Sequence, residues 1–134
     1  MPGSFIDTNV LVYVASSDPV KAERAEKIIA DGGTVSVQVL NELGNVARRK
    51  IRMTWSETRA LLSIIRALLP VQPISVEIHE TGVALAERYG LSIYDAMIAA
   101  SALQAECDTL WSEDMHDGMV IQDQLRIANP FRID

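Results

Sequence analysis

Four acidic residues stand where a carboxylate can be turned toward a cleft. Asp7 directly follows the apolar pair Phe5-Ile6, and Asp114 comes shortly after the strand-like Thr109 to Trp111. Glu42 and Asp95 each fall in the first turn or so of a helical segment. If the four converge, they repel one another. Two unit charges about 4 Å apart repel by roughly 4 kcal/mol at an effective dielectric of 20, against a total stability of only about 5 to 15 kcal/mol. No Lys or Arg is adjacent to Asp7, Asp95 or Asp114 in sequence. A divalent cation is the natural compensator, and a ligand set made only of oxygen suits Mg²⁺ or Mn²⁺. The chemistry open to such a centre is activation of water for hydrolysis. An ion lowers the pKa of a water, a second neutralises the leaving oxygen, and the carboxylates hold the ions or accept the proton. No protein nucleophile is required, and one ion or two would serve.

Each acid also has a purely structural explanation. Asp7 can cap the helix that follows it. Asp95 lies three residues after Ser92, where the acid of a capping box belongs. The loop from Ser112 to Gly118 can be an ordinary exposed turn. Glu42 is harder to explain in this way. It sits between Val39 and Val46 at the border of an apolar helical face, where a solvated glutamate is unexpected. The case for a site therefore rests on convergence of the set.

The elements that would bring the acids together can be read from punctuation and periodicity. A first strand ends at Ile6, and Val10 to Ala15 reads as helical. Asp18-Pro19 opens a helix as N-cap and first helical residue, and Gly32-Gly33 stops it. Thr34 to Val37 reads as a strand before a helix over about Val39 to Lys50. Thr54-Trp55-Ser56-Glu57 is a capping box for a helix to about Leu69, closed by Pro70. Val71 to Ile74 reads as a short strand. Ser75 opens a helix ending at Gly90, and Ser92 opens another through Ala105. Thr109 to Trp111 and Leu125 to Ala128 are the last strands. Short strands alternating with helices predict an α/β fold with a mostly parallel sheet, read as one domain over residues 1–134. In such sheets ligands bind at the carboxyl ends of the strands, which is where Asp7 and Asp114 fall.

The composition agrees with a globular domain. The 134 residues are 49% hydrophobic and 22% charged. No signal peptide is read at Met-Pro-Gly-Ser-Phe, and the apolar runs are too short to span a bilayer, so a cytoplasmic protein without a membrane partner is expected. The single cysteine, Cys107, lies in an apolar helical pattern and is expected to be a buried, inert thiol. The net charge of −6 argues against a nucleic-acid partner only if the acids are not neutralised. Four of the twelve basic residues are grouped at Arg48, Arg49, Lys50 and Arg52. They either oppose a helix dipole or grip phosphate near the cleft. Trp55 and Trp111 are expected as core or interface anchors. His116 lies between Asp114 and Asp117 but is expected to be solvated, and His79 is given no role.

Four segments carry a resemblance to a known family. Phe5-Ile6-Asp7-Thr8-Asn9-Val10-Leu11, Val39-Leu40-Asn41-Glu42-Leu43, Ser92 to Ala102 and Leu110-Trp111-Ser112-Glu113-Asp114 resemble, in order, the PIN domain. They are similar in particular to the VapC ribonuclease toxins of bacterial toxin–antitoxin pairs. The resemblance implies a three-layer α/β fold, a short and mostly parallel central sheet flanked by helices. It also implies that Asp7, Glu42, Asp95 and Asp114 are metal-binding acids, with Asp117 where many members carry a further one. Ser112 matches a hydroxyl beside the metal site and Asn9 a polar residue beside the first aspartate. Such a protein would cleave RNA with Mg²⁺ or Mn²⁺, be restrained by a cognate VapB-like antitoxin, and commonly form a homodimer. One alternative is another phosphoryl-transfer enzyme with Asp7 as nucleophile. That chemistry usually needs an aspartate two residues on or a late lysine, whereas Asn9 stands there and no lysine follows Lys50. The other is a non-catalytic binding module on the same fold, which the full acid set argues against.

Overall fold

The computed structural model describes residues 3–132. Three strands form its parallel centre. β1 (Ser4–Ile6) pairs with β4 (Thr109–Trp111), and β4 pairs with β6 (Leu125–Ala128). The remaining strand of that sheet, β5 (Val120–Ile121), runs antiparallel to β6, giving the order β1-β4-β6-β5. A second parallel pair, β2 (Val35–Ser36) and β3 (Val71–Gln72), is joined to the first sheet through a bridge between Phe5 and Thr34. Helices cover this sheet: α1 (Thr8–Leu11), continued by a 3₁₀ turn over Val12–Ala15, α2 (Pro19–Ala30), α3 (Val37–Arg49), α4 (Trp55–Leu68), α5 (Val76–Tyr89) and α6 (Ile93–Gln104). The α/β architecture with a mostly parallel sheet is the one expected.

Apolar burial places the strands at the centre. Phe5, Ile6, Leu110 and Ile127 are fully buried, and Cys107 is buried with them. On α6 the seven residues Ala96 to Ala102 are all buried, so this helix is apolar on every side and runs through the interior. It lies against α5 at a short distance because Gly82 has no side chain. A Cβ added there would meet Met97 Sδ at 2.6 Å and Met97 Cα at 3.4 Å. That packing fixes the helix that begins beside Asp95.

Where boundaries differ from the sequence reading, local chemistry explains the shift. α3 begins at Val37, because the Ser36 hydroxyl caps it by accepting from the Val39 N–H at 3.3 Å. β3 stops at Gln72, since Pro73 has no N–H to extend a ladder. The strand β5 was not expected. It closes a hairpin with β6 through Gln122 and Asp123, both at positive φ (53° and 55°) without a glycine to announce the turn. Among the described residues no helix is long and apolar enough to cross a membrane.

Candidate active site

Ile6 and Trp111 are register partners in parallel strands, so Asp7 and Ser112 leave the sheet side by side at its carboxyl edge. Asp7 is the N-cap of α1, and its Oδ1 accepts from the Thr8 N–H at 2.7 Å. Its Oδ2 accepts from Ser112 Oγ at 2.8 Å and from Asn9 Nδ2 at 3.2 Å. Asn9 also reaches the turn after β4, its Oδ1 accepting from the Glu113 N–H at 3.0 Å. The capping reading of Asp7 is thus realised, and the remaining oxygen is held by residues that bind no helix end.

The other acids come from the second turn of α3, the first turn of α6 and the turn after β4. Glu42 and Val46 on α3 and its C-cap Lys50 recur every four residues and face one cavity. Glu42 Oε2 accepts from Thr8 Oγ1 at 3.3 Å. At the start of α6 the Ser92 hydroxyl accepts from the Asp95 N–H at 3.2 Å. Thr54 and Glu57 complete a reciprocal capping box, whereas among the described residues no bond returns from the Asp95 carboxylate to the Ser92 N–H. Asp7, Glu42, Asp95 and Asp114 all line this cavity of about 320 Å³, together with Asn9, Tyr13, Lys50 and Glu113.

The electrostatics record the crowding. Burial pushes the Asp7 carboxyl up to about 6; the Ser112 and Thr8 hydrogen bonds pull it back, and the charges of Asp95 and Glu42 add to the rise. Burial raises Glu42, with Asp95 adding to it, and burial raises Asp95, with Asp114 adding to it. None of the four acids forms an ion pair among the described residues, although Lys50 lines their cavity. As the side chains stand, no three His, Cys, Asp or Glu among the described residues gather closely enough to hold one ion. The donor set still fits a hard divalent cation. It is all oxygen, it surrounds one cavity, its most buried member is oriented by three donors, and none of its members is ion-paired among the described residues.

Asp117, the further acid expected in this set, is placed elsewhere. Its carboxylate accepts from the Asn129 N–H at 2.8 Å and pairs with Arg132 at 2.7 Å, and it does not line the acid cavity. The two bonds hold it below the usual carboxylate range, the Asn129 bond contributing most. The loop turns between Asp114 and Asp117, which directs the second acid to the C-terminal segment. His116 and His79 are exposed.

The basic group divides. Lys50 faces the acids, while Arg48 and Arg49 line a separate groove of about 560 Å³ between α3 and α4. There the Arg48 guanidinium lies 4.2 Å from the centre of the Trp55 ring and donates to the Met53 carbonyl at 2.6 Å. Trp55 is 61% exposed and so is no core anchor, whereas Trp111 is partly buried against the core. Sequence reasoning also missed a cluster at the rim of the acid cavity. Glu113 accepts from Tyr13 Oη at 2.6 Å and from Lys21 Nζ at 2.8 Å. Only the acid beside Asp114 was visible in sequence, and its two partners come from distant elements.

The PIN domain family profile matches residues 4–116. No curated protein sequence matches the chain. Solved structures share the fold. A toxin–antitoxin complex from Klebsiella pneumoniae is 24% identical with a TM-score of 0.73, over 97% of this chain and 99% of the other. The DNA-bound VapBC of Salmonella typhimurium is 20% identical at a TM-score of 0.71, over 97% and 99%. VapC20 of Mycobacterium tuberculosis, a toxin that cleaves the sarcin-ricin loop, is 18% identical at 0.69, over 83% and 89%. A profile match across most of the chain makes this chain a member of the PIN domain family.

Proposed function

We propose that the protein is an endoribonuclease dependent on Mg²⁺ or Mn²⁺, acting as the toxin of a toxin–antitoxin pair. The observation that carries this reading is the meeting of Asp7, Glu42, Asp95 and Asp114 around one open cavity with no cation paired to them. A divalent ion held there would activate water and neutralise charge on the phosphate being cleaved. The protein's own part is to hold and orient. Asp7, fixed by Thr8, Asn9 and Ser112, presents a carboxylate that cannot swing away. Glu42 and Asp95 enter from rigid helices, and Asp114 enters from the turn that Asn9 ties to Asp7. Lys50 provides a cation beside the acids where an RNA phosphate can be drawn in, as positioning without sequence readout.

The toxin role rests on fold likeness to toxin–antitoxin proteins, several solved as complexes. A VapB-like antitoxin would restrain this chain by placing a cationic side chain against the same acids. A homodimer and a cytoplasmic setting, where RNA is at hand and a thiol such as Cys107 stays reduced, belong to the same reading. The test is cleavage of structured RNA by the purified protein with Mg²⁺, with Mn²⁺ and in excess chelator. Cleavage that is lost in chelator and restored by either ion supports the proposal. Equal cleavage under all three conditions sinks it.

A further inference from the structure

Lys21 sits on α2, far in sequence from every acid of the cleft, yet its ammonium reaches the cavity rim. Its Nζ donates to Glu113 Oε2 at 2.8 Å and to Tyr13 Oη at 3.1 Å, and Tyr13 Oη donates in turn to Glu113 Oε1 at 2.6 Å. Both oxygens of Glu113 are therefore engaged. The ammonium is itself seated 4.6 Å from the Tyr13 ring centre and 5.3 Å from that of Phe131. Those two rings meet edge to face with centres 4.7 Å apart. The Lys21 and Glu113 side chains are 34% and 24% exposed, so the pair is neither solvated nor sealed.

The backbone of the same turn is tied from the other side. Glu113 N–H donates to Asn9 Oδ1 at 3.0 Å, and Met115 N–H to Ser112 Oγ at 3.3 Å. Asp114 stands between these two anchors and lines the acid cavity, as Glu113 does. Glu113 is thus a fifth carboxylate at this cavity, and released from Lys21 and Tyr13 it would be unpaired like the other four.

We propose that Lys21 is a positioning residue of the acid cleft: with Tyr13 it captures Glu113, keeps that carboxylate out of the acid set and fixes the turn that presents Asp114. This rests on the nuclease reading, because the effect on catalysis requires the cleft to act on RNA.

Lys21→Met, Glu113→Gln and the double variant test it by steady-state RNA cleavage at saturating Mg²⁺. Supporting partners of a metal site cost about 10- to 100-fold when removed. Lys21→Met is expected to lower kcat by about tenfold or more with KM nearly unchanged, and the double variant to be no worse than Lys21→Met. A raised KM with kcat intact would make Lys21 a phosphate contact, and multiplying losses would mean that it does not act through Glu113; either result overturns the proposal. Tyr13→Phe removes only the hydroxyl and serves if Lys21→Met fails to fold; unchanged kcat there also counts against it. A second readout needs no RNA. The amide resonances of Glu113 and Met115 and the side-chain amide of Asn9 should move in Lys21→Met, and unmoved resonances overturn the proposal. A parent that cleaves no RNA would defeat the nuclease reading while leaving this second readout decisive for the network.

Discussion

Ser112 Oγ donates to Asp7 Oδ2 over 2.8 Å, although the two residues lie 105 positions apart. Parallel pairing of Ile6 with Trp111 makes the contact, because the first residue beyond each strand then lies beside its neighbour. The hydroxyl also accepts from the Met115 N–H, so one oxygen links the most buried acid to the turn that bears Asp114. Ser112→Ala should therefore cost more than a surface hydroxyl. A hydrogen bond to a charged group contributes about 1.5 to 3 kcal/mol. Urea unfolding at pH 7 is expected to show a loss of that size, shrinking near pH 4.5 where Asp7 is largely protonated. An equal loss at both values would mean that the bond does not serve the charged carboxylate.

Asp7 has a definite pH signature. Its folded pKa, about 6, lies above the ordinary value of 3.8. Between those values the folded state holds more protons than the unfolded one, so stability falls as pH rises through this window. The raised value corresponds to about 3 kcal/mol lost by pH 7 relative to pH 3, at 1.36 kcal/mol per unit. Asp117, Glu57 and Glu113 are held low and act in the opposite sense, losing stability as pH falls. The difference between the parent and Asp7→Asn isolates the Asp7 contribution. Asn carries a constant penalty, because its one acceptor oxygen can serve Ser112 and Asn9 but not the Thr8 N–H as well, yet it does not titrate. In chelator, the stability of the parent minus that of Asp7→Asn should fall by roughly 3 kcal/mol from pH 3 to pH 7. A flat difference would contradict the shift.

Legibility in the sequence follows the range of the interaction. Caps are local, so Asp18, Thr54, Ser75 and Gly90 announced their helix ends correctly. Strand ends at Ile6 and Trp111 were visible because apolar runs stop there, and with them the edge where Asp7 lies. Ser36 as a cap was hidden inside a run that also alternates like a strand. The hairpin at Gln122-Asp123 was hidden because its turn uses residues that seldom take positive φ. In the candidate site, Asp117 has the residue type and spacing of a cleft acid. Its fate is set by Asn129 and Arg132, which only the folded C-terminal segment brings near. Lys21 and Tyr13 were illegible for the same reason.

The division between Asp114 and Asp117 is itself testable. Asp114→Asn should remove activity because it takes a carboxylate from the cavity. Asp117→Asn should leave activity per folded molecule within about threefold. It should lower stability slightly, since a backbone hydrogen bond and a partly exposed ion pair are weakened. RNA cleavage rates and thermal melts on both variants check this. Loss of activity in Asp117→Asn at full stability would return that residue to the acid set.

Asp95 offers the test of clustering that needs neither RNA nor partner. Its carboxyl is raised by burial and then by the charge of Asp114, while Ser92 pulls it down. The Ser92 hydroxyl bonds to the Asp95 N–H, which Asp95→Asn keeps, so the cap survives the change. The variant thus removes a destabilising charge at little structural cost. It should melt higher than the parent in chelator at pH 7, by up to about 1 kcal/mol for a half-exposed carboxylate, or roughly 4 °C for a chain of this size. Most substitutions go the other way. Mg²⁺ at about a hundred times its dissociation constant should raise parent stability by roughly 2.7 kcal/mol through linkage. The same ion should raise Asp95→Asn by clearly less, because one charged ligand is gone. The order of the two melts therefore inverts between chelator and Mg²⁺. If the variant melts lower in chelator and Mg²⁺ moves neither protein, the four acids share a cavity without sharing an ion, and the metal-dependent reading fails with them.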